Sequence, residues 1–227
     1  PDQSPVSEAD EAAEEILLRG IDRILPGAPV VAEEAVARGS APGPAEAFFL
    51  IDPLDGTREF LAGTPEFTVN VAVVLEGTPV LGLIYVPAAA VLYAGADGRA
   101  LRATLAPGKA YAASAAVPIR ARPRPDRLVA AVSRSHLDAA SEAFLARLPV
   151  EGRIPLGSAL KFCRIAEGTV DVYPRLAPVH EWDLAAGHAL LVAAGGSVTR
   201  PDGGPLSYGN ARDRWLVSGF VAWGAPA

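Results

Sequence analysis

The segment Ile51-Asp52-Pro53-Leu54-Asp55-Gly56-Thr57 is the densest in chemically useful groups. An apolar run, Ala47 to Ile51, delivers Asp52 at its end, and Asp55 follows three residues later. With Pro53 stiffening the turn, both carboxylates can face one side, with the Leu54 carbonyl between them. Three oxygens converging on one point suit a hard cation such as Mg²⁺. Gly56 permits close backbone approach. Thr57 opens a short turn through Phe60, whose free N–H groups can meet a phosphate oxygen. Taken alone, the same spacing also suits an Asp-rich turn capping a helix.

Further acidic residues recur at predicted element ends. Glu33 and Glu34 end a short strand, Pro29 to Ala32. Asp183 sits in the first turn of an Ala-rich helix, Glu181 to Ala194, and Asp10 in the first turn of the opening helix. Singly, each has an ordinary role: solvated loop charges for Glu33 and Glu34, a helix-dipole partner for Asp183, and a capping box with Ser7 for Asp10. Together they pose an electrostatic problem. Acidic groups gathered without metal would repel one another and any anion brought to them. Such a set makes sense only if cations reverse the sign of the site.

Candidate anion contacts lie in the second half. Ser158, after Gly157, is placed to cap a helix running to Glu167, with Lys161 in its first turn. A helix N-terminus, a hydroxyl and an ammonium together make an anion site; an ordinary cap with a solvent-facing Lys fits equally. Arg175 follows a strand end and can pair a phosphate bidentately, or be a surface Arg. His136 follows a polar turn after a strand, and a lone His is more often structural. His180 and His188 lack the HExxH spacing of a zinc site, and there is no GxSxG elbow, Walker loop or GxGxxG fingerprint. Cys163 lies among apolar neighbours and reads as core.

These residues need a scaffold. Glu8 to Leu25 has apolar residues at helical spacing (Ala13, Ile16, Leu17, Ile21, Ile24, Leu25), with Pro26-Gly27 as its stop. Ala35 to Glu46 reads as a loop. Phe67 to Leu75, Val80 to Val86 and Val91 to Ala94 read as an antiparallel meander, with Arg99 to Arg102 and Val117 to Arg120 as short edges. The Arg- and Pro-rich stretch Ala121 to Arg127 marks a boundary between residues 1–120, a metal-binding α+β half, and 121–227, an α/β substrate-binding half. In the second half, strands at Leu128 to Val132, Ile154, Val170 to Tyr173 and Trp215 to Ser218 alternate with helices at Leu137 to Leu148, Ser158 to Glu167 and Glu181 to Ala194. Strands in runs, then strands alternating with helices, imply a layered α/β architecture.

Composition narrows the classes. Among 227 residues, half are hydrophobic and a fifth charged, which excludes a disordered chain. A net charge of −6 disfavours a binder of nucleic-acid polymers. No apolar run reaches the roughly 18 residues of an integral membrane segment. A single cysteine excludes an internal disulfide, and a reducing, cytoplasmic setting is the default.

The joint pattern resembles the inositol monophosphatase superfamily. The carrying segments are Ser4-Pro-Val-Ser-Glu-Ala-Asp10, Glu33-Glu34, Asp52-Pro-Leu-Asp-Gly-Thr-Arg-Glu-Phe60 and Trp182-Asp-Leu-Ala-Ala-Gly187, in that order. Within it the sequence is most similar to the CysQ-type 3′(2′),5′-bisphosphate nucleotidases, through Glu66-Phe-Thr-Val-Asn70, Ser133-Arg-Ser-His136, Gly157-Ser-Ala-Leu-Lys-Phe-Cys163, Tyr173-Pro-Arg175 and Gly187-His188. The resemblance implies a sugar-phosphatase-like αβαβα sandwich, lacking an N-terminal helix that family members carry ahead of Ser4. It implies a Mg²⁺-dependent, lithium-sensitive phosphomonoesterase using two or three ions. Glu33, Asp52 and the Leu54 carbonyl would hold one metal, and Asp52, Asp55 and Asp183 a second. Asp10 and Thr57, with Glu33, would be catalytic, orienting and deprotonating the attacking water. Gly56, Thr57, His136, Ser158, Lys161, Arg175 and Asp183 would contact the substrate. The implied partner is a small-molecule nucleotide bisphosphate, adenosine 3′,5′-bisphosphate, cleaved to AMP and phosphate as part of sulfate-assimilation recycling. Inositol monophosphatase or fructose-1,6-bisphosphatase activity is the alternative within the superfamily, and a non-catalytic phosphate-binding module the alternative outside it. Relatives also imply a monomer or homodimer, cytoplasmic or peripheral to the inner membrane.

Overall fold

A computed structural model describes residues 8–43, 45–135 and 137–226. Two sheets organise it. In the first, seven strands run in chain order: β1 (Val30–Ala32), β2 (Ala47–Asp55), β3 (Thr68–Leu75), β4 (Thr78–Val86), β5 (Val91–Ala96), β6 (Arg99–Thr104) and β7 (Ala116–Ile119). Only the β1–β2 pair is parallel; the rest form the expected meander. The second sheet gathers β8 (Leu128–Ser133), β9 (Val150–Leu156), β10 (Val172–Arg175), β12 (Ser197–Thr199) and β14 (Phe220–Trp223) in the order β12-β14-β10-β8-β9. A two-stranded ribbon pairs β11 (Val179–His180) with β13 (Leu216–Val217).

Strand alternation dictates where the helices go, because successive side chains face opposite sides of a sheet. On β2, Phe49 and Ile51 pack under α1 (Glu8–Ile24) with Ile21, while Phe48 and Leu50 face the central core. On β8, Leu128, Ala130 and Val132 pack with Leu145 of α4 (Ala139–Leu145), while Ala131 faces the central core. That core holds α5 (Leu160–Ala166) and α6 (Glu181–Ala193) between the two sheets. The layers therefore run α1, first sheet, α5 and α6, second sheet, α4: an αβαβα sandwich, as the resemblance implied. Gly82 and Gly95 let α6 lie directly on the first sheet. A Cβ at Gly82 would sit 2.1 Å from the Ala186 carbonyl oxygen, and one at Gly95 2.5 Å from the Leu190 Cα.

Several local expectations change. Glu33 and Glu34 follow β1 and open a five-residue helix, α2 (Glu33–Ala37), whose last three residues fall in the stretch read as loop. The strand around Ile154 runs the full length of β9, and β11, β12 and β14 were not anticipated. Ile16 and Ile24 of the apolar α1 pattern are exposed, whereas Asp10 and Glu14 on the same helix are buried. Ser158 does not cap α5: Ala159 occupies that position, and Ser158 has a left-handed backbone, φ +44°. Ser7 and His136 lie outside the described residues.

Candidate active site

In a regular strand, residues three apart point to opposite faces. Asp52 and Asp55 escape this rule through a bulge. Asp52 pairs with Asn70 and Asp55 with Thr68, so β2 spends three residues where β3 spends two. The extra residue turns both carboxylates the same way. Across the central layer, Asp183 comes down from the first turn of α6, its Oδ2 accepting the His180 backbone N–H at 3.2 Å. One ligand oxygen from each of Asp52, Asp55 and Asp183 lies within 4.8 Å of the others.

Glu33 lies beside this triangle. Its pKa is pushed up to about 9, by burial first and then by the charges of Asp183, Glu34 and Asp55. Burial and the charges of Glu33, Asp55 and Asp183 raise Asp52 well above the usual carboxylate range, and Asp55 rises to about 6 through burial and Asp183. Glu33, Asp52 and Asp55, pressed together away from water, resist ionisation. Asp52 Oδ1 accepts the Leu54 N–H at 3.0 Å, but its buried Oδ2 has no hydrogen-bond partner among the described residues. All-oxygen donors, an orphaned carboxylate oxygen and mutual repulsion are what a divalent hard cation would relieve, so the donor set fits Mg²⁺.

Thr57 links the triangle to the opening helix. Its Oγ1 lies 3.1 Å from both Asp10 Oδ1 and the Leu54 carbonyl oxygen. Gly56 supplies the turn before it, with φ +95°; a Cβ there would meet the Glu66 carbonyl oxygen at 3.1 Å. On α1, Glu14 accepts the Glu34 N–H (2.9 Å), the Ala35 N–H (3.3 Å) and Arg38 (2.6 Å), which fixes the start of α2 and with it Glu33.

A cationic group faces the acids. Lys161 is buried, with Nζ 3.2 Å from the Leu156 carbonyl oxygen and 5.1 Å above the Tyr173 ring. Burial lowers its pKa to about 8, although Asp55 opposes the shift and Arg175 adds to it. Arg175 Nε, Ser158 Oγ, Asn70 Oδ1 and Trp182 Nε1 are buried without hydrogen-bond partners. Buried polar groups are almost always paired. These orphans belong to the triangle's own residues, their chain or strand-pair neighbours, and the Lys161 side, which marks one ligand site with an acidic and a basic end. Clefts of about 510 Å³ beside Arg124 and Trp223, and about 250 Å³ beside Arg99 and Ile119, offer no such groups. Chemistry outweighs cavity size here.

The chain was compared with known proteins. The sequence model of the inositol monophosphatase family matches residues 1–219. The chain belongs to the inositol monophosphatase family. It is 39% identical to the 3′(2′),5′-bisphosphate nucleotidase CysQ of Escherichia coli K12 over 219 residues, covering 96% of this chain and 85% of the relative. It is 30% identical to the CysQ of Haemophilus influenzae, covering 98% and 81%. Among solved structures, CysQ from Bacteroides thetaiotaomicron superposes with a TM-score of 0.84 at 35% identity, over 100% of this chain and 87% of that one. The inositol monophosphatase from Anabaena gives 0.75 at 29% identity, over 97% and 82%.

The fold of this inositol monophosphatase family member brings Glu33, Asp52, Leu54, Asp55, Gly56, Thr57, Asp10 and Asp183 together at one end of β2, with Lys161 within electrostatic reach of Asp55. Three residues that position the site were not singled out as site residues from sequence. Asn70 donates to Asp55 Oδ2 at 3.1 Å, Thr68 lies 3.4 Å from the same oxygen, and Glu14 holds α2. A signal existed for two of them. Residues 68, 70, 72 and 74 form the buried face of β3, and Thr68 and Asn70 are the polar members of that apolar row. His188 and Cys163 are structural: His188 Nδ1 lies 2.9 Å from the Tyr208 hydroxyl, and Cys163 is buried.

Proposed function

We propose that this chain is a Mg²⁺-dependent 3′(2′),5′-bisphosphate nucleotidase. It removes the 3′-phosphate of adenosine 3′,5′-bisphosphate to leave AMP and phosphate, and by that chemistry serves sulfate-assimilation recycling in the cytoplasm. The observation that carries the reading is the carboxylate triangle with its orphaned Asp52 oxygen, set within electrostatic reach of a buried Lys161. A substrate with one phosphate at each end matches a site with two unlike ends. The sequence similarity to CysQ enzymes supports the choice of nucleotide.

Glu33, Asp52, Asp55, Asp183 and the Leu54 carbonyl would hold two or three Mg²⁺ ions. When bound, these would supply positive charge to the phosphoryl group and lower the pKa of the attacking water, easing its deprotonation. This chain's own residues do the rest. Thr57 directs its hydroxyl proton to Asp10 Oδ1, 3.1 Å away, leaving an Oγ1 lone pair for the attacking water. Asp10, buried on α1, is the final proton acceptor through that hydroxyl. Asn70 holds Asp55 in its orientation. Lys161, Arg175 and Ser158 receive the phosphate that does not react, and so fix which ester reaches the triangle. His136 is a further proposed nucleotide contact.

Phosphate release from adenosine 3′,5′-bisphosphate and inositol 1-phosphate, with Mg²⁺ and with chelator, tests this. The nucleotide should turn over faster, and only with Mg²⁺. Faster turnover of inositol 1-phosphate would transfer the assignment to the sugar-phosphatase branch. Binding without hydrolysis in Mg²⁺ would leave a non-catalytic module.

A further inference from the structure

Glu66 lies between α3 (Thr57–Leu61) and β3, outside the residues placed in the chemistry above. Its carboxylate accepts three hydrogen bonds. Arg134 gives two, Nε to Oε2 at 2.8 Å and a terminal nitrogen to Oε1 at 2.7 Å, and the Gly157 backbone N–H gives a third at 2.8 Å. Arg134 follows β8 and also donates to the Pro155 carbonyl of β9 at 2.9 Å. One carboxylate from the segment between α3 and β3 thus fastens the ends of two strands of the second sheet, where the turn carrying Ser158 and Lys161 begins. Glu59 adds a parallel link, accepting from Ser135 Oγ at 2.5 Å.

The turn it fastens does not hold itself. Ser158 is in the left-handed region with its Oγ buried and unpartnered among the described residues, and Lys161 is desolvated, with Nζ bonded to the Leu156 carbonyl. Left-handed non-glycine residues persist only where their surroundings over-determine them. Glu66 provides those surroundings. A Cβ on Gly157 would lie 2.6 Å from the Glu66 carbonyl oxygen and 3.0 Å from its Cβ, and a Cβ on Gly56 would meet both that oxygen and the Ser158 Cβ. The Glu66–Arg134 pair is also partly exposed, with Arg134 at 45%. Such pairs add little to global stability.

We propose that Glu66 is a positioning residue that sets the preference for substrates with a second phosphate. It locks the 156–161 turn so that Ser158 Oγ and Lys161 Nζ meet the phosphate that does not react. This rests on the nucleotidase reading for the identity of the substrate but not for the principle.

The test compares kcat and KM for adenosine 3′,5′-bisphosphate and adenosine 3′-monophosphate in wild type, Glu66→Ala and Glu66→Gln. Glu66→Ala should lower kcat/KM for the bisphosphate by about 10- to 50-fold, through KM, and leave the monophosphate within about twofold. Glu66→Gln keeps an acceptor for the Gly157 N–H and should recover most of the loss. Equal losses on both substrates, or none on either, would overturn the proposal. If the wild type instead prefers sugar phosphates, the nucleotidase reading fails alone. The same ratio, taken on fructose 1,6-bisphosphate against inositol 1-phosphate, then decides the role of Glu66. A wild-type protein inactive on all four overturns both.

Discussion

Two sets of carboxylates in this chain, each with a fully buried member, are built on opposite terms. Asp171 is 2% exposed and fully partnered: Arg122 grips it at 2.6 and 2.7 Å, and the Val129 N–H reaches it at 2.7 Å. Glu181, wholly buried, accepts the backbone N–H groups of Gly209 and Asn210 at 2.8 and 2.9 Å. Two residues further on, Asp183 points into the triangle with Asp52 and Asp55, where acid faces acid. The first group uses charge to tie loops and strands together. The second keeps lone pairs free at the cost of mutual repulsion, which only an external cation offsets. The burial of Asp52 matches that of Asp171; what tells the sets apart is that the neighbours in the second are themselves acids.

The sharpest way to break the comparison is to exchange charge for shape. Asp52→Asn should cost about 10³-fold in kcat/KM or more, since it removes the shared acid at the centre of the set. The metal-free variant should melt no lower than wild type, because a repelling charge has gone. A folded Asp52→Asn enzyme with normal turnover would put the chemistry elsewhere. The second test is pH. Glu33 and Asp55 titrate higher folded than unfolded, near 9 and 6 against 4.5 and 3.8. The folded metal-free protein therefore binds more protons across that window. Its stability should fall as pH rises from about 3.8 to 9. Mg²⁺ competes with those protons, so its stabilisation should grow over the same range, to about 2.7 kcal/mol at a hundredfold excess over Kd. Thermal unfolding at pH 5, 7 and 9 with Mg²⁺ and with chelator measures both slopes. Third, Asp171→Ala should lose about 2 kcal/mol by denaturant unfolding, below the range for fully buried pairs because Arg122 is 39% exposed. Its activity per folded molecule should not change. A lowered kcat with intact stability would erase the distinction between the two groups.

That distinction was only half legible in the sequence. The spacing of Asp52 and Asp55 named a metal-type segment, yet in an ordinary strand the two would diverge. The bulge that reunites them is a register event between β2 and β3, and register depends on both strands. Asp183 could be placed in a helical first turn from the Ala-rich pattern alone. That this turn lies over the end of β2 follows from Gly82 and Gly95 admitting α6 onto the sheet, a contact across about a hundred residues of chain. The meander was readable because its alternation is local. The edge strand β12 and the two-residue β11 were not, since pairing makes them strands and their own residues do not. Ser158 misled for a related reason. Its hydroxyl suits a cap, but the packing of Gly157 against Glu66 turns the backbone left-handed and moves the cap to Ala159.

Lys161 tests the comparison from the cationic side, with the smallest expected effect. Arg122 is neutralised by Asp171, whereas Lys161 keeps its charge in a dry setting, bonded to the Leu156 carbonyl and with Asp55 as its strongest opposing charge. Burial lowers its pKa from 10.5 to about 8. Between those values the unfolded chain binds more protons, so this group makes stability rise as pH climbs from 8 to 10.5. Lys161→Met should remove that rise and melt higher than wild type at pH 7, where the desolvated ammonium is otherwise retained at a cost. The same substitution should raise KM for adenosine 3′,5′-bisphosphate about tenfold, the value of one charge-assisted hydrogen bond. It should leave adenosine 3′-monophosphate unaffected. Gaining stability while losing affinity is the signature of a group held for a ligand. If Lys161→Met loses stability instead, as Asp171→Ala does, then Lys161 belongs with the structural set, and the second phosphate must be received by Arg175 and Ser158 alone.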